Sequence, residues 1–300
     1  MPDNYVTIKD IESLEEGISR LKHSGDGWGY TGMWRANQNT ILIVPSTITQ
    51  SEQDALLDSL CKVKPARYFV VELHPENTDL KFNVSARCHF ISDEQKVCSD
   101  VIKISSVNTA RVERTAGIIR EHLVTGAHTD VVIANISSKL KGVLDPLILL
   151  GDRVIFDSTQ INAIDIPLYL LRLAEEVIDL EWIRLSPWRG LIKNTFDIPA
   201  VLNSVNNISA IKIIEGVNHS HFPSLLIGGW ILASLGLEAT ARTSGGFECI
   251  RHDGRIIKLE FISAPSKYSL TEVDFLFDSS AELNEIKISR KKAELCSIVA

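Results

Sequence analysis

Little in this sequence marks a basic, secreted or membrane-spanning protein. Its 300 residues carry a formal charge of −7, and the one basic cluster is Arg290-Lys291-Lys292. Nucleic-acid binding draws on a concentrated basic face that releases counterions from phosphates, so no nucleic-acid partner is expected. The triplet reads as a solvated stretch near the chain end. The start, Met-Pro-Asp-Asn-Tyr, lacks the basic residues and apolar run of a secretory signal. The longest uncharged apolar run, Phe222 to Leu237, is broken by three glycines and is too short to cross a bilayer. It reads as a buried core helix, and no membrane partner is expected. The five cysteines, Cys61, Cys88, Cys98, Cys249 and Cys296, are scattered and never spaced C-x-x-C. This pattern fits reduced thiols in a cytoplasmic protein.

Several catalytic signatures are missing too. There is no G-x-x-x-x-G-K-[ST], no G-x-S-x-G and no H-E-x-x-H. Gly27-Trp-Gly-Tyr-Thr-Gly32 has the dinucleotide-binding spelling G-x-G-x-x-G. That motif works only between a strand and the N-terminus of a helix, which together hold a pyrophosphate. Here a helical pattern precedes it and a strand follows, so it reads as a loop, with Trp28, Tyr30 and Trp34 as plugs or contacts. His219-Ser-His221 could be half of a metal site, but no spaced ligand completes it. A polar entry to the helix at Pro223 is the plainer reading. Glu175-Glu176 and Asp179-Glu181 read as helix-surface carboxylates.

What is present is ample apolar material, 45% of residues, in alternating strand and helix patterns. Strands are expected at Thr40–Pro45, Arg67–Leu73, Asp130–Ala134 and Arg153–Phe156. Helices are expected at Ile11–Leu21, Ser51–Val63 (capped by Ser51), Ala110–Leu123, Lys139–Leu150 and Ile164–Ile178. Phe82–Phe90 and Val97–Ser105 should pair as a hairpin that brings Cys88 and Cys98 together. The two are candidate redox thiols, with ordinary buried thiols as the alternative. Ser186-Pro187 looks like a helix start. Beyond it, a strand at Ser209–Glu215, a helix at Pro223–Leu235 and strands around 247–251, 255–262, 273–277 and 285–289 form a meander. His252-Asp253-Gly254 makes one of its turns. The expected class is α/β: a mostly parallel sheet with an antiparallel hairpin over residues 1–200, then a smaller α+β part with a β-meander over 201–300. The boundary is placed near 198–207.

The segment Asp179-Leu-Glu-Trp-Ile-Arg-Leu-Ser-Pro-Trp-Arg-Gly-Leu-Ile192 resembles the most distinctive stretch of the OpcA family, the glucose-6-phosphate dehydrogenase assembly proteins. Ala86-Arg-Cys-His89 with Val97-Cys98, Asp152-Arg-Val-Ile-Phe-Asp-Ser158 and the helix around Gly229-Trp230 resemble further family features. The family's tryptophan pair is missing at Asp130–Ala134. The resemblance implies a non-catalytic subunit that promotes assembly and allosteric activation of glucose-6-phosphate dehydrogenase in the oxidative pentose phosphate pathway. NADP is then expected on that partner and no cofactor on this chain. Trp182, Arg184, Pro187, Trp188 and Arg189 are the candidate docking residues, because Trp and Arg dominate binding hot spots. The tryptophans could instead be buried core. The alternative function is a sugar-phosphate or nucleotide-binding α/β enzyme whose site is not visible in sequence.

Overall fold

The computed structural model describes residues 6–8, 15–19, 33–35, 38–45, 48–74, 80–90, 96–134, 140–160, 165–217, 219–278, 283–291 and 294–299. Packing divides the chain into two compact units, Met1–Asp179 and Leu180–Ala300. The division precedes the expected boundary at 198–207. Leu185, Trp188, Ile192 and Val201 pack into the core of the second unit, which draws residues 180–204 into it.

The first unit is a nine-stranded sheet of β1 (Val6–Ile8), β2 (Met33–Arg35), β3 (Asn39–Pro45), β4 (Arg67–Leu73), β5 (Lys81–Phe90), β6 (Lys96–Val107), β7 (Thr129–Ile133), β8 (Arg153–Phe156) and β9 (Glu176–Asp179). Six parallel strands stand in the order β6-β4-β3-β7-β8-β9. Renumbered by appearance, that is 3-2-1-4-5-6, the doubly wound order of dinucleotide-binding folds. The expected hairpin is present, with β5 antiparallel to β6.

Alternation along the central strand places its side chains in two cores. Ile41 and Ile43 pack with α2 (Val112–His122), α3 (Asp145–Ile148) and α4 (Asp165–Leu173). Leu42 and Val44 pack with Leu57 and Cys61 of α1 (Gln50–Val63). The sheet is therefore buried on both faces, as near-continuous apolar strands require.

Three helix expectations change. Within 139–150 the described α-helix is only Asp145–Ile148. The helix expected over 164–178 stops at Leu173, and Glu176–Asp179 joins the parallel sheet, where β-branched Val177 and Ile178 pair with β8. The cap of α1 is Thr49 and not Ser51. Most of the helix expected over 11–21 lies outside the described residues, but 15–19 are helical.

At the N-terminal edge of the parallel strands, Asp130 is 1% exposed and ringed by cations. Arg153 Nε donates to it at 2.9 Å, His128 Nε2 lies 3.1 Å away, and Lys64 Nζ is in direct contact. Burial, and then Arg153, lower the pKa of Lys64. Open α/β sheets bind ligands at the carboxyl ends of their strands, so this network belongs to the structural end of the fold.

The second unit has seven strands in the order β11-β12-β13-β10-β14-β15-β16. They are β10 (Ile208–Gly216), β11 (Leu237–Arg242), β12 (Gly246–Arg251), β13 (Ile256–Ala264), β14 (Leu270–Phe277), β15 (Glu285–Lys291) and β16 (Glu294–Val299). All neighbours are antiparallel except β10 and β13. Gly254 takes φ +84° in the turn between β12 and β13, which a side chain would strain. Ile211, Ile213, Leu259, Val273, Phe275 and Ile288 form a core with α6 (Ser186–Phe196), α7 (Pro199–Ser204) and α8 (Phe222–Ser234). A Cβ at Gly228 would lie 3.1 Å from Ile213 Cδ1 and 3.4 Å from Leu259 Cδ2, so glycine lets α8 lie close on the sheet. The apolar run 222–237 is thus a core helix followed by the start of β11, and among the described residues no helix is long and apolar enough to cross a membrane.

Candidate functional site

The candidate docking residues lie on α5 (Leu180–Arg184) and the first turns of α6. Pro187 suits this start because its missing N–H would be unpaired there in any case. Leu185 is the N-cap and makes no side-chain cap bond, so Ser186 does not cap the helix as a Ser-Pro start suggests. Instead, Ser186 Oγ accepts from Arg189 Nη2 at 3.3 Å.

The structure separates the five residues into three kinds. Trp188 is 1% exposed and packs in the core with Leu185 and Ile192. It can support a docking face but does not reach a partner. Trp182 and Arg189 are half-buried and stacked, with the guanidinium carbon 3.5 Å from the indole centroid. Arg189 Nη1 also donates to Trp182 O at 2.7 Å, which fixes the plane of the stack. Burial draws the Arg189 pKa below its usual value. Arg184 and Pro187 are exposed. Arg184 Nη1 donates to Glu181 Oε2 at 2.8 Å, and Glu181 is buried.

Two neighbours were not singled out from sequence. Ile183, an apolar residue 54% exposed, stands beside the stack. Arg290, read as part of a solvated basic stretch, faces two rings, with its guanidinium carbon 4.8 Å from the Tyr268 centroid and 5.7 Å from that of Trp188. Its position on β15 explains the difference, since a strand residue is held against the helices that cover it. The carboxylates read as a helix surface are also employed: Asp179 Oδ1 accepts from Ser158 N at 3.1 Å.

In the first unit, Cys88 and Cys98 stand directly opposite each other on β5 and β6 and form a disulfide. This corrects the expectation of reduced thiols throughout. Cross-strand partners bring their Cβ atoms within bonding reach, which sequence spacing alone does not reveal. Cys61 and Cys249 are free and buried. Gly27–Gly32, with Trp28 and Tyr30, lies outside the described residues.

The doubly wound order makes the turn after β3 the place where a dinucleotide's pyrophosphate would sit. The sequence there, Pro45-Ser-Thr-Ile-Thr49, has no glycine. The N-terminus of α1 is closed by a capping box. Thr49 N and Thr49 Oγ1 donate to Glu52 Oε2 at 2.8 and 2.7 Å, and Glu52 N donates to Thr49 Oγ1 at 3.3 Å. These bonds from Thr49 hold the Glu52 pKa below its ordinary value. A carboxylate of the chain itself thus stands where an incoming phosphate would need the helix N–H groups.

His221 Nδ1 lies 2.7 Å from Oε1 of the buried Glu215. Among the described residues no group of three potential ligands could hold a metal ion.

Residues 175–296, close to the whole second unit, match a family described as the C-terminal domain of the glucose-6-phosphate dehydrogenase subunit. Two curated proteins that carry the name OpcA, as OxPP cycle proteins, are related over more of the chain. The one from Synechocystis sp. is 27% identical over 61% of this chain and 40% of its own length. The one from Nostoc punctiforme is 26% identical over 70% of this chain and 48% of its own length. The chain thus spans less than half the length of the curated relatives it matches. Among solved structures, biliverdin reductase of Synechocystis sp. with biliverdin and NADP+ aligns at TM-score 0.43 and 9% identity, over 88% of this chain and 85% of that one. The myo-inositol dehydrogenase of Lactobacillus casei aligns at 0.40 and 10%, over 86% and 78%. Values this low transfer neither cofactor nor substrate. The Asp179–Ile192 segment, by contrast, falls inside the matched stretch, and with the two OpcA relatives it places the chain: the protein belongs to the OpcA family.

Proposed function

We propose that the chain is a non-catalytic partner of glucose-6-phosphate dehydrogenase that promotes the enzyme's assembly and activates it allosterically in the oxidative pentose phosphate pathway. The observation that carries this is the family match over 175–296, which contains the Trp182–Arg189 platform. Exposed Ile183, Arg184 and Pro187 around a rigid Trp–Arg stack have the make-up of a hot spot: an apolar and aromatic anchor with a guanidinium beside it. Activation then requires tighter binding to the active form of the enzyme than to the inactive one. On this reading NADP sits on the partner and this chain carries none. The Glu52 plug at the first turn after β3 supports that assignment. The alternative, a nucleotide-binding enzyme, would use the same turn and is disfavoured by the same plug.

The test is co-expression with the dehydrogenase of the same organism. Co-purification and a lower KM for glucose 6-phosphate are expected. Ile183→Asp with Arg184→Glu should abolish both while leaving the melting temperature unchanged. Absence of co-purification and of any kinetic effect from the unmodified chain would refute the proposal.

A further inference from the structure

The second unit holds a cavity of about 530 Å3, well removed in chemistry from the docking platform. This volume is in the range of small-molecule sites, roughly 300–1,000 Å3. Its walls are apolar, with Phe196 from α6, Trp230 and Ile231 from α8, Ile257 from β13 and Phe275 from β14. Polar groups are few, and Arg251 is the unusual one.

Arg251 lines the cavity and is only 6% exposed. A guanidinium has five N–H groups. Nε and Nη2 donate to Asp253 at 3.1 and 2.6 Å, and Nη1 donates to Asn206 O at 2.8 Å. One N–H on each terminal nitrogen is left without an acceptor among the described residues. Buried donors without acceptors are costly, so an acceptor brought in by a ligand gains more here than at the surface.

The charges limit what that acceptor can be. Asp253 already balances Arg251, and Lys193 and Asp197 of the lining oppose each other. Sugar phosphates and nucleotides carry two or more negative charges and little apolar surface, and this lining suits neither property. One carboxylate on an apolar body suits both, because a charge-assisted bond to a guanidinium is stronger than a neutral one. We infer that the cavity binds a medium-chain monocarboxylate, its alkyl chain among Phe196, Trp230 and Ile257 and its carboxylate on Arg251 with Lys193 nearby. This site is independent of the proposed partnership with the dehydrogenase.

The test is calorimetric titration of the full chain with decanoate below its micellar concentration, beside decylamine. Saturable one-site binding of decanoate is expected, with decylamine weaker by about tenfold or more, an energy difference of about 1.4 kcal/mol. Ser234 and Lys193 line the cavity at exposed positions, so changes there should leave the fold intact. Ser234→Trp should plug the cavity and weaken decanoate by at least about tenfold, and Lys193→Glu should narrow the preference for decanoate over the amine. No saturable binding, equal affinity for the amine, or unaltered binding in both variants would overturn the inference. Should Ser234→Trp fail to fold, Lys193→Glu alone decides.

Discussion

Asp274 on β14 offers a sharp test of the second unit's electrostatics. Its side chain is 7% exposed, and Oδ1 has no hydrogen-bond partner. Lys287 Nζ lies 3.9 Å away, shared with Glu272 at 3.3 Å and Glu285 at 3.9 Å, while Lys212 is its register partner on β10. Burial, and then the charge of Glu272, raise the carboxyl pKa from 3.8 to about 7, against the pull of Lys287. A folded-state pKa above the unfolded one means stability present below pH 4 and lost as pH rises through 7. At about 1.4 kcal/mol per pH unit the full cost of ionisation at pH 8.5 is roughly 4 kcal/mol. Relaxation and water near Lys287 reduce this, so Asp274→Asn, neutral at every pH, should gain about 1–2 kcal/mol over the unmodified chain between pH 5 and pH 8.5. Urea unfolding of both proteins at the two pH values measures the gain, and their difference cancels every other titrating group. Equal differences at the two pH values, or a larger loss for Asp274→Asn at pH 8.5, would show that the carboxyl is not strained by ionisation.

Three further outcomes are expected. Trp188→Ala should cost about 3–5 kcal/mol in urea unfolding, as for any fully buried large side chain, whereas half-buried Trp182→Ala should cost less and act mainly on dehydrogenase binding. Opening the Cys88–Cys98 link, which joins residues 10 apart in sequence, should destabilise the first unit by about 2–3 kcal/mol, seen as a lower melting temperature of that unit in reductant. An unchanged melt would show that the link does not constrain the unfolded chain. Thr49→Ala removes the capping box and should cost about 1 kcal/mol, read from hydrogen exchange in α1.

Strongly patterned elements were legible in the sequence because local signals and packing agree. Thr40–Pro45 and Arg67–Leu73 are apolar runs that end up buried on both faces, and Asp253-Gly254 set a hairpin whose glycine does take a positive φ. The strands at Leu237–Arg242 and Glu294–Val299 went unseen. The first is almost wholly exposed, and its residues Leu-Glu-Ala-Thr-Ala-Arg show no apolar alternation, so only pairing with β12 makes it a strand. Glu176–Asp179 was lost in a helical pattern for a similar reason, since a short edge strand is defined by its neighbour. At the site, the Trp and Arg residues were visible by type, but their division into core, stack and surface was not. Residues 182, 184, 188 and 189 all suit a docking face on composition, and only burial assigns Trp188 to the interior. The disulfide was open for the same reason: the hairpin could be read, but its register could not.

The capping box at Thr49 and Glu52 also measures how near this sheet stands to a nucleotide-binding one. Strand order and helix placement already fit, and the difference is concentrated at one turn, where a carboxylate replaces glycine and free N–H groups. A designer wishing to return a phosphate site to this scaffold would begin with Glu52→Ala and glycines between Pro45 and Thr49, leaving the sheet untouched. A fold of this kind changes occupation through a handful of residues at a loop, while the hundreds of contacts that specify it stay as they are.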